Sequence, residues 1–223
     1  MPSRPARTTV LFDLDGCLLD TERLYTQATQ SVVAPFGKTF TWDVKKRAMG
    51  RDPLVSSRII LETLEVPLSP EAFLAARNAK LTELVAACRA MEGAEAFVRQ
   101  LRTRGVRMAV ATSSDRDFYA MKTRHHAWFD LFDAVVCGDD ARVKAKKPAP
   151  DIFLVAAREL GVEPADCLVF EDSPAGVEAA VAAGMRVVAI PDPGAGVDLF
   201  GAAHRIVQDW AEVSRTIAAL LDD

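Results

Sequence analysis

Residues 10–16 read Val10-Leu11-Phe12-Asp13-Leu14-Asp15-Gly16, a short apolar run that stops at two carboxylates separated by one residue. Because side chains alternate along a strand, Asp13 and Asp15 fall on the same side of the chain, at the end of a buried strand. Two like charges this close repel unless a cation lies between them or one takes a proton. The pattern therefore predicts a Mg²⁺ site or an acid/base group beside a nucleophile. The alternative is an acidic turn, since Asp and Gly are common turn residues.

From residue 93 onward, helical and strand patterns alternate. Apolar, strand-like runs occur at 106–112, 134–137, 167–170 and 187–190, and amphipathic segments separate them. Continuous apolar strands that alternate with helices are typical of a parallel sheet covered on both faces. The predicted fold class is therefore α/β, with a Rossmann-like parallel sheet covered by helices on both faces.

Residues 22–90 interrupt this alternation. Their apolar positions keep helical spacing and strand patterns are nearly absent, which predicts a small helical domain inserted after the first strand. We place this helical cap domain at 22–90 and the catalytic core at 1–21 and 91–223. Because the insertion leaves directly after Asp15, we expect it to overhang any site at the carboxyl end of that strand.

Polar clusters follow several of the predicted strands at their carboxyl ends, where open parallel sheets bind ligands. These clusters are Asp13/Asp15, Thr112-Ser113-Ser114, Gly138-Asp139-Asp140 and Glu171-Asp172. The parallel sheet would bring these clusters to one edge, so the sequence predicts that the site lies there, with Asp139 and Asp140 either positioning Lys147 or only capping a turn.

The composition restricts the class of function. The chain has 223 residues, of which 50% are hydrophobic, and this composition favours a globular domain. Its net charge of −4 argues against nucleic acid or an anionic membrane as partner. No apolar run approaches the ~20 residues of a membrane span. Four well-separated cysteines match neither a zinc pattern nor a disulfide framework. We therefore expect a reduced, cytoplasmic protein, and a monomer, because the cap makes the site self-contained.

The carboxylates match what phosphoryl transfer requires, namely a nucleophile, a proton carrier and a metal. Asp13 can attack phosphorus and form an aspartyl-phosphate. Asp15 can protonate the leaving alkoxide and later deprotonate water. Asp172 adds a further oxygen ligand, so that Asp13, Asp15 and Asp172 are the candidate Mg²⁺ ligands.

The remaining candidates would bind the substrate, a small phosphorylated metabolite. Ser113 offers a hydroxyl to a phosphate oxygen, and the amides around Ser114 lie at a helix start that favours anions. Lys147, directly before Pro148, supplies a fixed positive charge to the phosphate and the nucleophile. Glu22 and Arg51 lie in the cap and are candidates for contacts with the leaving group.

These motifs resemble the haloacid dehalogenase superfamily of aspartate-nucleophile phosphatases, in its β-phosphoglucomutase-like branch with a helical cap. The resemblance covers nearly the whole chain and implies Mg²⁺ dependence. More narrowly, three segments resemble pseudouridine 5′-phosphatases and related glycerol-3-phosphatases, which makes pseudouridine 5′-phosphate the first candidate substrate. The four motifs are DLDG at 13–16, Ser113, KPAPD at 147–151 and Glu171-Asp172, and the three segments are DTERLY at 20–25, ATSS at 111–114 and CLVFEDSPAGVEAAVAAGM at 167–185.

One residue departs from the pattern of such phosphatases, because Lys146 stands where they usually have glycine. Lys147 remains the predicted catalytic lysine, since Pro148 sets the register. Three other functions stay open. A dehalogenase does not need Asp15 or Asp172. A phosphomutase would place its cap arginine a few residues beyond Gly50 rather than directly after it. A binding protein on this fold would not need the carboxylates.

Overall fold

The computed structural model describes residues 9–48 and 53–222, and within them the chain forms two compact units. One unit consists of residues 20–89, and the other consists of the segments up to residue 19 and from residue 90 onward. The sequence analysis places the corresponding boundaries at 22 and 90.

The second unit is built on a parallel sheet, which confirms the predicted fold class. Among the described residues the sheet has six strands in the order β3-β2-β1-β4-β5-β6. β1 lies between β2 and β4 and is buried along its whole length, as its uninterrupted apolar sequence requires. The strands are β1 (Thr9–Phe12), β2 (Met108–Thr112), β3 (Ala134–Cys137), β4 (Cys167–Glu171), β5 (Arg186–Ala189) and β6 (Arg205–Ile206).

The order of the strands places a crevice beside β1. Connections run one way from β1 toward β2 and β3 and the other way from β4 toward β6. In such doubly wound sheets the crevice outside the carboxyl ends of the strands, at this reversal, is where ligands bind. Asp13 follows β1 and Glu171 ends β4, so the two central carboxylates lie on either side of the reversal.

Residues 20–89 form a helical unit with its own core. Its buried centre contains Val33, Ile60, Leu61 and Phe73, with further aliphatic side chains around them. Ser69 caps the last long helix by accepting a hydrogen bond from the Ala72 amide at 3.1 Å, ahead of a proline at the first helical position. The helices are α1 (Glu22–Val33), α2 (Trp42–Ala48), α3 (Pro53–Leu64) and α4 (Pro70–Leu84).

Further helices belong to the unit that contains the sheet. Several connect consecutive strands, as parallel pairing demands. The part of the chain that the structure describes contains no helix long and apolar enough to cross a membrane. The helices are α5 (Ala94–Thr103), α6 (Arg116–Thr123), α7 (Asp151–Glu159), α8 (Pro174–Ala182) and α9 (Trp210–Asp222).

The chain leaves and re-enters the sheet-containing unit at one place. Leu19 and Ala90 form an antiparallel bridge, and the Met91 amide donates to the Leu18 carbonyl oxygen at 2.9 Å. Insertion of seventy residues (20–89) therefore leaves the ends of the interrupted chain side by side.

An aromatic cluster fixes β1 and β4 in this unit. The rings of Phe12, Phe97, Phe170 and Trp210 lie within 5.1–6.3 Å of one another, centroid to centroid. Trp210 also donates its indole N–H to the carbonyl oxygen of Cys17 at 2.9 Å. Since Phe12 directly precedes Asp13 and Phe170 directly precedes Glu171, this packing holds the ends of both strands.

Truncation of Phe97 should destabilise the fold strongly. Phe97 is fully buried, so Phe97→Ala should lower the free energy of unfolding by about 3–5 kcal/mol, measured by urea denaturation. Phe36 is 38% exposed and serves as the control, because Phe36→Ala removes the same atoms at little cost. Equal losses in the two variants would show that the aromatic cluster does not hold the core together.

Candidate active site

Asp13 and Asp15 lie in a tight loop that begins where β1 ends. The Asp13 amide donates to the Phe170 carbonyl oxygen at 2.9 Å, which continues the pairing of β1 with β4 by one residue. The Leu14 carbonyl oxygen then accepts from the amides of Leu18 and Leu19, and Gly16 has a φ of 81°. Glycine fits this left-handed turn, which directly follows Asp15.

Lys147 joins two carboxylates from neighbouring strand ends. Its Nζ lies 2.6 Å from Asp13 Oδ1 and 2.5 Å from Glu171 Oε1, and it also donates to the Ala111 carbonyl oxygen at 3.2 Å. Its side chain is 6% exposed, and the peptide bond to Pro148 is cis. A buried ammonium with three oxygen partners is held in one position.

Glu171 is fixed independently of Lys147. Its Oε2 accepts from the amide of Asp172 at 3.0 Å and from the amide and hydroxyl of Ser173 at 2.9 Å each. Gly176 passes so close that an added Cβ would lie 1.7 Å from Glu171 Oε1. The sequence showed Glu171 only as an acidic strand end, whereas the structure shows it as the anchor of Lys147.

A second lysine, Lys122, contacts Asp15, and the sequence analysis did not identify it. Lys122 Nζ lies 2.5 Å from Asp15 Oδ1 and 2.7 Å from Ser114 Oγ. Ser114 in turn donates to Asp15 Oδ2 at 2.8 Å, and the Thr112 hydroxyl lies 3.5 Å from the same oxygen. The sequence carried no signal for Lys122, because it lies inside α6, eight residues beyond Ser114.

The electrostatics of the site follow from burial and from the crowding of carboxylates. Burial raises the pKa of Asp13 to about 7, with Glu171 and Asp15 adding to the increase and Lys147 opposing it. Burial alone would lower the pKa of Lys147, but Asp13 and Glu171 outweigh it and raise the pKa above its ordinary value. Lys147 is therefore a permanent cation. Additional positive charge near Asp13 would stabilise its ionised form.

Cys17 lies close to the same carboxylates. It is fully buried, and burial, followed by the charges of Asp13 and Asp172, raises the pKa of its thiol well above the ordinary range. The thiol is therefore protonated and shielded from solvent, which favours a packing role over oxidation sensitivity.

The other predicted site residues lie in different surroundings. Ser113 is exposed at the end of β2, and its backbone lies against Gly138, where an added Cβ would meet the Ser113 carbonyl oxygen at 2.4 Å. Asp172 is 8% exposed, directly after β4. Glu22 belongs to the 20–89 unit, where its carboxylate pairs with Lys45 at 2.8 Å. Arg51 lies outside the described residues.

The donor chemistry of the candidate metal ligands fits a hard cation in part. Asp13 and Asp172 are buried carboxylates, the oxygen donors that Mg²⁺ prefers, and burial, with the charges of Glu171 and Asp15 adding to it, raises the pKa of Asp13. Both side-chain oxygens of Asp15, however, are engaged by Lys122 and Ser114. Within residues 9–48 and 53–222, no set of three or more His, Cys, Asp or Glu side chains has the arrangement of a metal cage.

Comparison with known proteins identifies the family to which this α/β chain belongs. A model of the haloacid dehalogenase-like hydrolases matches residues 8–184, which is most of the chain. The chain belongs to the haloacid dehalogenase-like hydrolase family.

Two curated relatives align with most of this chain. A protein of Drosophila melanogaster named as a pseudouridine-5′-phosphatase is 47% identical over 190 residues, covering 83% of this chain and 82% of that protein. The (DL)-glycerol-3-phosphatase 2 of Arabidopsis thaliana is 43% identical over 196 residues, covering 85% and 82% respectively. Together with the family, these relatives identify the protein as an enzyme of the phosphatase class.

Solved structures extend the similarity to the whole fold. A protein of Thermotoga maritima named as a β-phosphoglucomutase superposes with a TM-score of 0.77 at 31% identity, covering 96% of this chain and 100% of that one. CbbY of Rhodobacter sphaeroides in complex with phosphate gives a TM-score of 0.72 at 28% identity, covering 93% and 96%. The resemblance inferred from the motifs is thus confirmed at the level of family and fold.

Two adjacent lysines allow a test of the catalytic lysine. Lys147→Ala should lower kcat for phosphate ester hydrolysis roughly a hundred- to thousandfold, because a fixed charge matched to the transition state is worth ~3–4 kcal/mol. Lys146 is exposed, so Lys146→Ala should leave kcat within about twofold. If the loss occurs in Lys146→Ala instead, the proposed register of this loop is wrong.

Proposed function

We propose that the protein is a Mg²⁺-dependent phosphatase that hydrolyses a small phosphate monoester through a phosphorylated Asp13. The observation that carries this proposal is the pairing of two carboxylates, two residues apart, each with its own buried lysine: Asp13 with Lys147, and Asp15 with Lys122. Two carboxylates in different surroundings can take different roles, as a nucleophile and a proton carrier require.

In the first half of the proposed reaction, Asp13 attacks phosphorus and the ester oxygen leaves. Lys147, held 2.6 Å from Asp13, offsets the negative charge of both the nucleophile and the entering phosphate. Asp15 gives the departing oxygen its proton and, in the second half, takes a proton from the water that hydrolyses the aspartyl-phosphate. Because Asp13 is already fixed, little reorganisation precedes the attack.

Mg²⁺ is the proposed cofactor, with Asp13 and Asp172 as carboxylate ligands. Asp15 can act as a third ligand only by exchanging one of its present side-chain contacts or by offering its main-chain carbonyl oxygen. When bound, the ion would offset the charge on the phosphate oxygens and on the crowded carboxylates around Asp13.

The substrate is proposed from similarity and from the chemistry of the site. The relatives named as phosphatases of pseudouridine 5′-phosphate and of glycerol 3-phosphate support these two esters, in that order. Ser113, the amides at Ser114, and Lys147 would bind the phosphate. Glu22 and Arg51 remain the proposed contacts of the leaving group.

The proposed setting is the cytoplasm, and the proposed state is a monomer. All four cysteines, Cys17, Cys88, Cys137 and Cys167, are free and buried, which suits a reducing compartment. The proposed nucleophile, proton carrier and lysine all come from one chain, so a second copy is not needed to complete the chemistry.

Replacement of the nucleophile should abolish turnover. Asp13→Asn keeps the volume of the side chain but cannot form the acyl phosphate, so kcat should fall by at least about a thousandfold. Acid-quenched wild-type protein should carry a phosphoryl adduct on the peptide that contains Asp13, and EDTA should stop turnover until Mg²⁺ is added back. Asp139, exposed after β3, is the matched control, because Asp139→Asn should retain activity. Full activity in Asp13→Asn would refute the mechanism.

A panel of esters tests the substrate. We expect kcat/KM to be highest for pseudouridine 5′-phosphate, with glycerol 3-phosphate next. Uridine 5′-phosphate is the matched comparison, because it keeps the sugar phosphate and changes only the attachment of the base. A higher kcat/KM for glycerol 3-phosphate than for both nucleotides would reassign the enzyme to the polyol phosphatases.

A further inference from the structure

Lys122 is a buried lysine that the proposed reaction does not otherwise use. Its side chain has no exposed surface, although it lies in the last turn of α6, a surface helix of the sheet-containing unit. Lysine is almost never fully buried unless it is paired. Its partners here include the carboxylate of Asp15 and the hydroxyl of Ser114.

The three groups form a closed ring. Lys122 Nζ donates to Asp15 Oδ1 at 2.5 Å and to Ser114 Oγ at 2.7 Å, and Ser114 Oγ donates to Asp15 Oδ2 at 2.8 Å. The backbone continues the arrangement, because the Ser114 amide donates to the Thr112 hydroxyl at 3.1 Å. Both oxygens of Asp15 are thus held from outside the loop that carries Asp15, by residues that follow β2.

We infer that Lys122 is a positioning residue that fixes the Asp15 carboxylate for proton transfer to the leaving group. The inference rests on the proposed function, in which Asp15 is the proton carrier. Lys122 is too deeply buried to contact a substrate in this arrangement, so it acts through Asp15. The Asp15 side chain is 20% exposed and can still reach a reacting atom while its partner is enclosed.

A purely structural role explains this lysine poorly. An ammonium taken out of water loses its hydration, and an apolar side chain of similar length would fill the same space without that loss. The charge gives directional hydrogen bonds to one carboxylate and one hydroxyl, which a packing role does not need. The position of Asp15, rather than the stability of α6, is what the charge determines.

The proposed step makes a distinctive prediction about leaving groups. One Asp13 oxygen forms a bond to phosphorus, the bond between phosphorus and the ester oxygen breaks, and its electron pair stays on that oxygen. The oxygen then takes the proton of the Asp15 carboxyl group, whose protonated form gives up one of the two contacts that it accepts as a carboxylate, and the water of the second half returns a proton to Asp15. An alkoxide needs this proton, whereas p-nitrophenolate is stable without it. Poor placement of Asp15 should therefore impair alkyl esters far more than p-nitrophenyl phosphate.

The experiment compares Lys122→Met with wild type on glycerol 3-phosphate and on p-nitrophenyl phosphate, both with Mg²⁺. We expect kcat/KM to fall about a hundredfold for the alkyl ester and less than about tenfold for the aryl ester. Lys146→Met is the control for loss of a lysine and should change neither value. In an Asp15→Asn background, Lys122→Met should cause less than about threefold further loss, because its effect passes through Asp15.

Ser114→Ala provides a second variant should Lys122→Met fail to fold, since it removes only the hydroxyl between Lys122 and Asp15 Oδ2. It should show the same preferential loss on the alkyl ester. Equal losses on the two esters, or an additive loss in the Asp15→Asn background, would overturn the inference while leaving the phosphatase reaction intact. A wild-type protein that hydrolyses neither of these esters nor pseudouridine 5′-phosphate would contradict the proposed function and the inference with it.

Discussion

One buried ammonium, that of Lys147, holds the two central carboxylates of this fold together. Asp13 and Glu171 follow adjacent parallel strands at the point where the strand order reverses, and without a cation their charges would repel. Glu171 cannot give way, because its second oxygen is bound by the amides and hydroxyl that open α8. The position of Asp13 therefore depends on a chain of contacts that begins at a helix start.

Asp13 and Asp15 lie in different surroundings because each carboxylate contacts a different lysine. Asp13 shares Lys147 with Glu171, whereas Asp15 contacts Lys122 and the hydroxyl of Ser114. Two carboxylates with only one residue between them in the sequence therefore differ in burial, in partners and in net local charge. In the proposed reaction, this difference would allow Asp13 to attack phosphorus while Asp15 transfers a proton, although the two side chains are chemically the same.

Most of the fold could be predicted from the sequence. The spacing of the apolar residues and the position of the turn residues between them indicate where each strand and helix begins and ends. Buried parallel strands read as uninterrupted apolar runs, and the polar clusters that follow them indicate which edge carries the site. β6 was not predicted, because two residues are too few to show an alternating pattern. Its place in the sheet depends on its parallel pairing with β5. The boundaries of the inserted unit differ from the prediction by two residues at one end and one residue at the other.

The candidate site was less fully predictable, for a physical reason. Lys147 could be identified because Pro148 fixes its register, whereas Lys122 is buried by tertiary packing, which no local pattern records. At the end of β2, Ser113 and Ser114 are chemically identical, and only the structure shows that Ser114 is the one whose hydroxyl contacts Asp15. Sequence indicates the residue types that chemistry needs, but the direction of each side chain comes from the fold.

The junction between Leu19 and Ala90 has a consequence for how such proteins diversify. Because the chain departs and returns through one bridged pair, the inserted segment can lengthen, shorten or be exchanged without shifting the register of any strand. Changes in that segment and changes in the sheet are thus uncoupled at the level of the backbone. Selection can therefore change the inserted segment while the sheet and the residues at its edge stay the same.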